Sequence, residues 1–184
     1  MKSNNIKIYL GIAVIILLVN SSCEGIQDRI SVTLPVEPDP IEFSLTKQSA
    51  AMAPAQVAAE NTLFETTLKT NLNTLLADEG YSLDNLKAFK IESVIVEAKA
   101  PTTLDMSQFI GMKLYFGSDK KLIAEAKSVG SNNQSLVFTI NQADIFSYAS
   151  VEQLPVLITG PALTTANQAT LAMKLKCKAT VKPN

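Results

Sequence analysis

Apolar and polar residues alternate along much of this 184-residue chain, most regularly near its carboxyl terminus. A period of two places one face of a β-strand in a core and the other in water. The apolar face of this predicted strand consists of Leu171, Met173, Leu175, Cys177, Ala179 and Val181. The opposite face carries a lysine stripe, which we define as Lys174, Lys176, Lys178 and Lys182.

The lysine stripe has two interpretations. It could be a basic surface for acidic glycans or lipid headgroups. It could equally be a solvated face whose lysines discourage edge-to-edge pairing with other chains. We favour the second interpretation, because charged residues are common on the solvent side of a strand.

Shorter alternating segments recur at roughly even spacing, separated by turn signals. They cover residues 30–34, 41–46, 62–68, 88–100, 112–117, 121–129, 136–140 and 154–160. Seven to nine short strands predict a mainly β fold, a single antiparallel β-sandwich. We expect one helix near 70–78, ended by Gly80, and an exposed connection over 49–60.

Three short helical crossovers are predicted from capping signals. Ser82 precedes the turn SLDNLK. Asp105 and Gln108 have the spacing of a capping box at the start of MSQFIG. Asn141 and Asp144 have the same spacing before QADIFSYA.

The amino terminus has the pattern of a secretory leader. Lys2 and Lys7 precede an uncharged run from Ile8 to Val19. Twelve helical residues rise about 18 Å, which is too short for the ~30 Å hydrocarbon core of a bilayer. The run is therefore predicted to be the apolar region of a cleaved signal peptide.

Cys23 follows the small residues Ser21 and Ser22, which is the arrangement of a bacterial lipobox. Asn20 stands where a strict lipobox has Leu. We predict a lipoprotein signal peptide over 1–22, lipidation of Cys23, a tether over 23–28 and a single domain over 29–184. An ordinary cleaved signal with an incidental cysteine and a retained membrane anchor are the alternatives.

The amino-acid composition limits the kinds of catalytic and metal sites that the chain can form. Histidine is absent, which excludes Ser-His-Asp and Cys-His nucleophile systems and His-ligated metals. With Cys23 acylated, Cys177 would have no disulfide partner and is expected to be a buried apolar residue. The only adjacent acid pair, Asp78-Glu79, fits a solvated helix end better than a glycosidase pair. We therefore predict no enzyme, no cofactor and no metal site.

Charge argues against a nucleic acid partner. Removal of 1–22 takes Lys2 and Lys7 from 16 basic residues, leaving 14 against 17 acidic ones, a net charge of −3. No strong basic patch stands out beyond the lysine stripe. Tryptophan is also absent, which lowers the expectation of a sugar-stacking site. The predicted partners are a membrane, through the lipid anchor, and an unknown protein or glycan.

The segment from Asn73 to Val181 resembles a group of uncharacterised Bacteroidetes lipoproteins. The shared features are LLADEGYSLDNLKAFKIESVIVEAKAP, the hairpin MKLYFGSDKKLIAEAKSV, LVFTINQADIFSYA and the closing amphipathic strand. The resemblance implies a lipid-anchored, immunoglobulin-like β-sandwich with no established activity, and it assigns a role only to Cys23. By similarity to enterobacterial sorting, Glu24 in place of Asp favours the outer membrane.

The leading functional hypothesis is a non-catalytic binding or assembly module of the cell envelope. Its site is expected on loops at one end of the sandwich, 130–135 and 161–169. One alternative is a carrier of an apolar ligand in a cavity between the sheets. Others are a fimbrial or structural subunit and an unrecognised hydrolase.

The lipid anchor predicts a labelling result. The full chain grown in bacteria with a radioactive fatty acid should incorporate label, because acylation of the Cys23 thiol is the expected modification. A Cys23→Ala variant should incorporate none, measured by autoradiography of the purified protein. Equal labelling of both proteins would refute the anchor.

Overall fold

A computed structural model describes residues 31–47, 61–131 and 133–183 of the chain. Of the residues described, 55% are strand and 12% are helical, and the strands form an antiparallel sheet. The predicted mainly β, sandwich-like fold with one helix is confirmed. The predictions for the signal peptide, Cys23, the tether and the connection over 49–60 lie outside the described residues.

The elements follow one another closely along the chain. The strands are β1 Val32–Val36, β2 Ile41–Thr46, β3 Asn61–Lys69, β4 Leu86–Ala100, β5 Lys113–Phe116, β6 Lys121–Val129, β7 Ser135–Ile140, β8 Gln153–Gly160 and β9 Gln168–Val181. The helix α1 is Leu72–Asp78. Three 3₁₀ turns are Leu83–Asn85, Met106–Phe109 and Phe146–Tyr148.

All nine described strands belong to one curled sheet, a half-barrel. Their order is β1-β9-β4-β7-β6-β5-β8-β3, and β2 also pairs with β9. The curl brings the two ends of this order together. Phe43 of β2 stacks on Phe64 of β3, with ring centroids 5.1 Å apart and planes 18° apart. The two layers of the predicted sandwich are thus halves of a single sheet, joined at this seam by aromatic packing.

β9 is an inner strand of the sheet. It pairs with β4 along one side, and with β1 and then β2 along the other. Its predicted apolar face is buried throughout, because each of those side chains points into the curl. The interpretation of the lysine stripe as protection of a sheet edge is therefore wrong, since β9 has strands on both sides.

Three lysines of the stripe form ion pairs with glutamates in β4 or directly after β1. The pairs are Lys174–Glu97 at 2.7 Å, Lys176–Glu37 at 3.3 Å and Lys178–Glu92 at 2.6 Å. These side chains are well exposed, so each pair contributes only about 0.2–1 kcal/mol. The stripe is locally balanced in charge, which weakens the hypothesis of a basic ligand surface.

The helix forms where the sequence predicts it. Leu72 and Leu76 are one turn apart and are both buried. Gly80 ends the helix in the left-handed region, with φ 79°. The Tyr81 N–H donates to the Leu76 carbonyl at 2.8 Å, which closes a Schellman motif.

The predicted capping signals have different outcomes. The Ser82 N–H donates to Asn85 Oδ1 at 2.8 Å, so the predicted turn is confirmed. In the third crossover, Asp144 Oδ1 accepts from the Phe146 N–H at 2.9 Å. Asn141 does not start a helix there, and the crossover contracts to the 3₁₀ turn Phe146–Tyr148.

Strand pairing sorts the connections into two ends. At the end where β9 begins lie the connections 101–112, 130–134 and 161–167, which we call the loop end. At the other end, Val32 pairs with Val181, so the described chain begins and finishes there. We call this the terminus end, and it also holds α1. The two ends are separated by the length of β9.

Cys177 lies in the core and is 4% exposed. Burial, and to a lesser extent the nearby Glu92 carboxylate, raises the pKa of its thiol from 9.0 to about 12. The neutral thiol is therefore the form that the fold stabilises, as expected for a buried apolar cysteine.

The Cys177 thiol predicts a pH dependence of stability. Its contribution is complete below pH 9.0 and is lost as pH rises towards about 12, because the unfolded thiol ionises first. The free energy of unfolding relative to Cys177→Ala should fall by up to about 1.4 kcal/mol per pH unit above pH 9. Urea titrations of both proteins between pH 7.5 and 10.5 measure this difference. Parallel pH profiles would contradict it.

Candidate functional site

Three segments meet at the loop end and form what we call the loop face: 102–111, 130–134 without Asn132, and 161–167. Two of them are the loops predicted from sequence, and the structure places both at the same end of the sheet. The third, 102–111, lies between them and was not expected to belong to a site. The loop face is therefore larger than the two predicted loops.

Segment 102–111 closes the end of the core. Asp105 caps the 3₁₀ turn, its Oδ1 accepting from the Ser107 N–H at 2.9 Å. Side chains three apart align on a 3₁₀ turn. Met106 and Phe109 consequently point inward together, and both are fully buried. Residues between and after them are left to face solvent.

Gln108 joins two segments of the loop face. Its Nε2 donates to Thr165 Oγ1 at 2.9 Å. Its Oε1 accepts from the Thr164 N–H and Oγ1, both at 3.2 Å. Its Nε2 also donates to the Asp105 carbonyl at 2.8 Å, so the predicted capping box is not completed by Gln108 in the expected way. The amide instead holds segment 161–167 against the turn.

Segment 130–134 is held by hydrogen bonds in which backbone carbonyl groups are the acceptors. The Met106 N–H donates to the Asn133 carbonyl at 3.1 Å. Gln134 Nε2 donates to the Thr102 carbonyl at 2.8 Å. Asn133 has φ 56°, a left-handed conformation that Asn tolerates better than most residues. All three segments are thus tied through the turn at 106–109.

The exposed chemistry of the loop face is mixed. Ile110 is 45% exposed and lies directly after the turn. Hydrogen bonds from the Ser107 backbone, and then from its side chain, lower the pKa of Asp105 below 3.8, because they stabilise the charged carboxylate. An apolar side chain beside a fixed carboxylate, hydroxyls and amides suits noncovalent recognition.

A surface hollow of about 380 Å³ lies at the terminus end, between the β5–β6 turn and the start of β8. Tyr148 donates its hydroxyl to Asp119 Oδ1 at 3.3 Å and packs edge-on against Phe116. Burial, and then the Asp119 charge, raises the pKa of Tyr148. Gly117, at φ 76°, leaves no room for a Cβ beside Asp119 and Tyr148. The hollow is a surface feature outside the sheet interior.

The remaining candidate residues are dispersed. Asp78 and Glu79 are exposed at the end of α1, as expected for a solvated helix end. Over the described ranges, no three acidic or cysteine side chains lie close enough together to hold a metal ion. Cys23, the predicted lipidation site, lies outside those ranges.

Comparison with known proteins identifies no relative. No family model, curated protein or solved structure matches the chain. In the part of the chain that the structure describes, no helix has the length and apolar character needed to cross a membrane.

The sequence indicates the 106–109 turn but not its role in the loop face. The capping spacing of Asp105 and Gln108 identified the turn correctly. The partners of Gln108, Thr164 and Thr165, are 56 and 57 residues away, and no local pattern links them. The paired threonines in a predicted loop were the one available signal.

The Gln108 contacts predict a local effect of mutation. Gln108→Ala should accelerate hydrogen exchange in 161–167 at least tenfold, because Thr164 and Thr165 lose their shared partner. The free energy of unfolding should fall by no more than about 1.5 kcal/mol, since each hydrogen bond contributes about 0.5–1.5 kcal/mol and these are exposed. Mass spectrometry of exchanged peptides makes the measurement.

Gln142→Ala is the matched control, because Gln142 Nε2 bonds only locally, to the Asp144 carbonyl at 2.8 Å. It should leave exchange in 161–167 unchanged. Equal protection of 161–167 in Gln108→Ala and the unmodified chain would show that Gln108 does not hold the loop face.

Proposed function

We propose that this protein is a lipid-anchored lipoprotein of the cell envelope, held at the outer membrane by Cys23, and that it acts as a non-catalytic binding or assembly module. The loop face is its binding surface. The observation that carries the proposal is the meeting of three hydrogen-bonded segments beside an exposed Ile110, two of them joined by Gln108.

The positions of the two ends support this arrangement. Val32, next to the residue where the described chain begins, pairs with Val181 at the terminus end. An anchor at Cys23 therefore joins the domain at the end farthest from the loop face. Attachment to a membrane leaves the loop face unobstructed, as a binding module requires.

The bonding of the loop face supports recognition rather than catalysis. Gln108, Thr164 and Thr165 satisfy one another, and Asp105 caps its own turn. These polar side chains are occupied in fixing the shape of the surface. A surface fixed in advance loses less conformational entropy when it binds a partner.

The alternatives receive less support. A carrier needs an apolar cavity between the layers, whereas Phe89, Phe109, Phe116 and other large side chains fill the described interior. The Tyr148 hollow is open at the surface and would hold only a small ligand. A structural subunit remains compatible with the open strand edge described in the next subsection.

Photo-crosslinking in living cells tests the proposal. The full chain with p-benzoylphenylalanine in place of Ile110 should form covalent adducts with a defined partner, seen as discrete larger bands on a gel. Combining this replacement with Gln108→Ala should weaken those bands severalfold, because the loop face loses its shape.

The control carries the same photo-crosslinker at Val137, which is 43% exposed on the outer side of β7. Position 137 should give only background adducts. If position 110 gives no discrete adducts, or the same pattern as position 137, the loop face is not the binding surface.

A further inference from the structure

β3 is the last strand of the sheet order and has an open edge. It pairs with β8 on one side, and no other described strand pairs with it. Its nine residues make a long edge strand, and an open edge is a template for pairing with another chain. The opposite margin of the sheet contains Pro35 in β1, which lacks an N–H and discourages such pairing. β3 contains no proline.

The hydrogen bonding of β8 shows which residues of β3 face the open side. The Pro155 carbonyl accepts from the Gly117 N–H at 2.9 Å, so Pro155 directs its backbone away from β3. Backbone groups alternate in direction along a strand. Leu154 and Val156 therefore bond to β3, at Leu68 and Thr66. It follows that Glu65, Thr67 and Lys69 direct their N–H and carbonyl groups to the open edge.

The accessible part of this edge is short and has a clear midpoint. Towards the start of β3, Phe43 of β2 stacks on Phe64. In the other direction, β3 ends at Lys69 and the chain turns at Asn71, whose backbone is left-handed with φ 49°. The window for a partner strand is thus 65–69, centred on Thr67.

The charged side chains of this window are complementary to those of a second, antiparallel copy of the same strand. Glu65, Thr67 and Lys69 are exposed and lie on one face of the strand. An antiparallel copy centred on Thr67 places each Glu65 opposite the Lys69 of the other chain, since opposed residues share a face. Neither side chain has an ion-pair partner among the residues described here.

We propose that two copies of this chain associate through antiparallel pairing of their β3 edges, centred on Thr67. Pairing at 65, 67 and 69 forms about six backbone hydrogen bonds and two Glu65–Lys69 ion pairs. The register defined by charge is the same as the one defined by the accessible window. The interface is separate from the loop face, and it does not depend on the proposed function.

Pairing has a geometric consequence. The two copies are turned end for end, so their loop faces point in opposite directions and both stay open. The Ser31 residues then lie at opposite ends of the pair. The chain from Cys23 to Ser31 spans at most about 28 Å. Both anchors can reach one bilayer if the strands lie along its surface.

Cysteine crosslinking of the full chain in bacterial cells tests the pairing. Thr67→Cys should form a disulfide-linked dimer on mild oxidation, because opposed Cα atoms of a bonded antiparallel pair lie about 5.5 Å apart. Thr62→Cys is the matched control, an exposed threonine on the same strand. Its two copies would lie about 34 Å apart and should not crosslink above the unmodified chain.

Charge reversal then tests the register. On the Thr67→Cys background, Glu65→Lys or Lys69→Glu alone should lower the dimer yield at least fivefold, because like charges then face each other. The double variant Glu65→Lys with Lys69→Glu should restore the yield to within twofold. The proposal is overturned if Thr62→Cys crosslinks as well as Thr67→Cys, if single reversals leave the yield unchanged, or if the double variant does not recover it.

Discussion

The pairing of β9 with strands on both sides is the constraint on which the rest of this structure depends. Its fourteen residues hydrogen-bond to β4 on one side and to β1 and β2 on the other. The same strand contributes an unbroken row of buried side chains, from Leu171 to Val181, to the interior. Backbone bonding and apolar burial act together along β9, which joins β1 and β2 to β4.

The half-barrel then determines what each end can do. Because the strands are antiparallel, every second connection falls at the same end, and three of them form the loop face. Met106 and Phe109 close the core beneath that face, while Gln108 and Ile110 stay outside. The sheet does not close by hydrogen bonds between β2 and β3. The Phe43–Phe64 stack closes the seam near the start of β3. Along the rest of β3, no described strand other than β8 pairs with it.

The two proposed surfaces use different physical means. The loop face relies on side chains that hold one another in place around an exposed apolar residue. The β3 edge relies on backbone groups that have no strand to bond, with Glu65 and Lys69 supplying the register. Neither uses the lysine stripe, whose charge is largely balanced by Glu37, Glu92 and Glu97. A conspicuous sequence pattern thus has a local structural explanation.

The sequence by itself determined the strands, the helix near 70–78 and the buried face of β9, because these follow from alternation and capping between near neighbours. It also located both predicted loops. Only the tertiary structure decided that β9 is an inner strand, that Gln108 reaches Thr164 and Thr165, and that β3 is left at an edge. Those features depend on which distant segments become neighbours when the sheet curls, and a period along one strand carries no information about its partners.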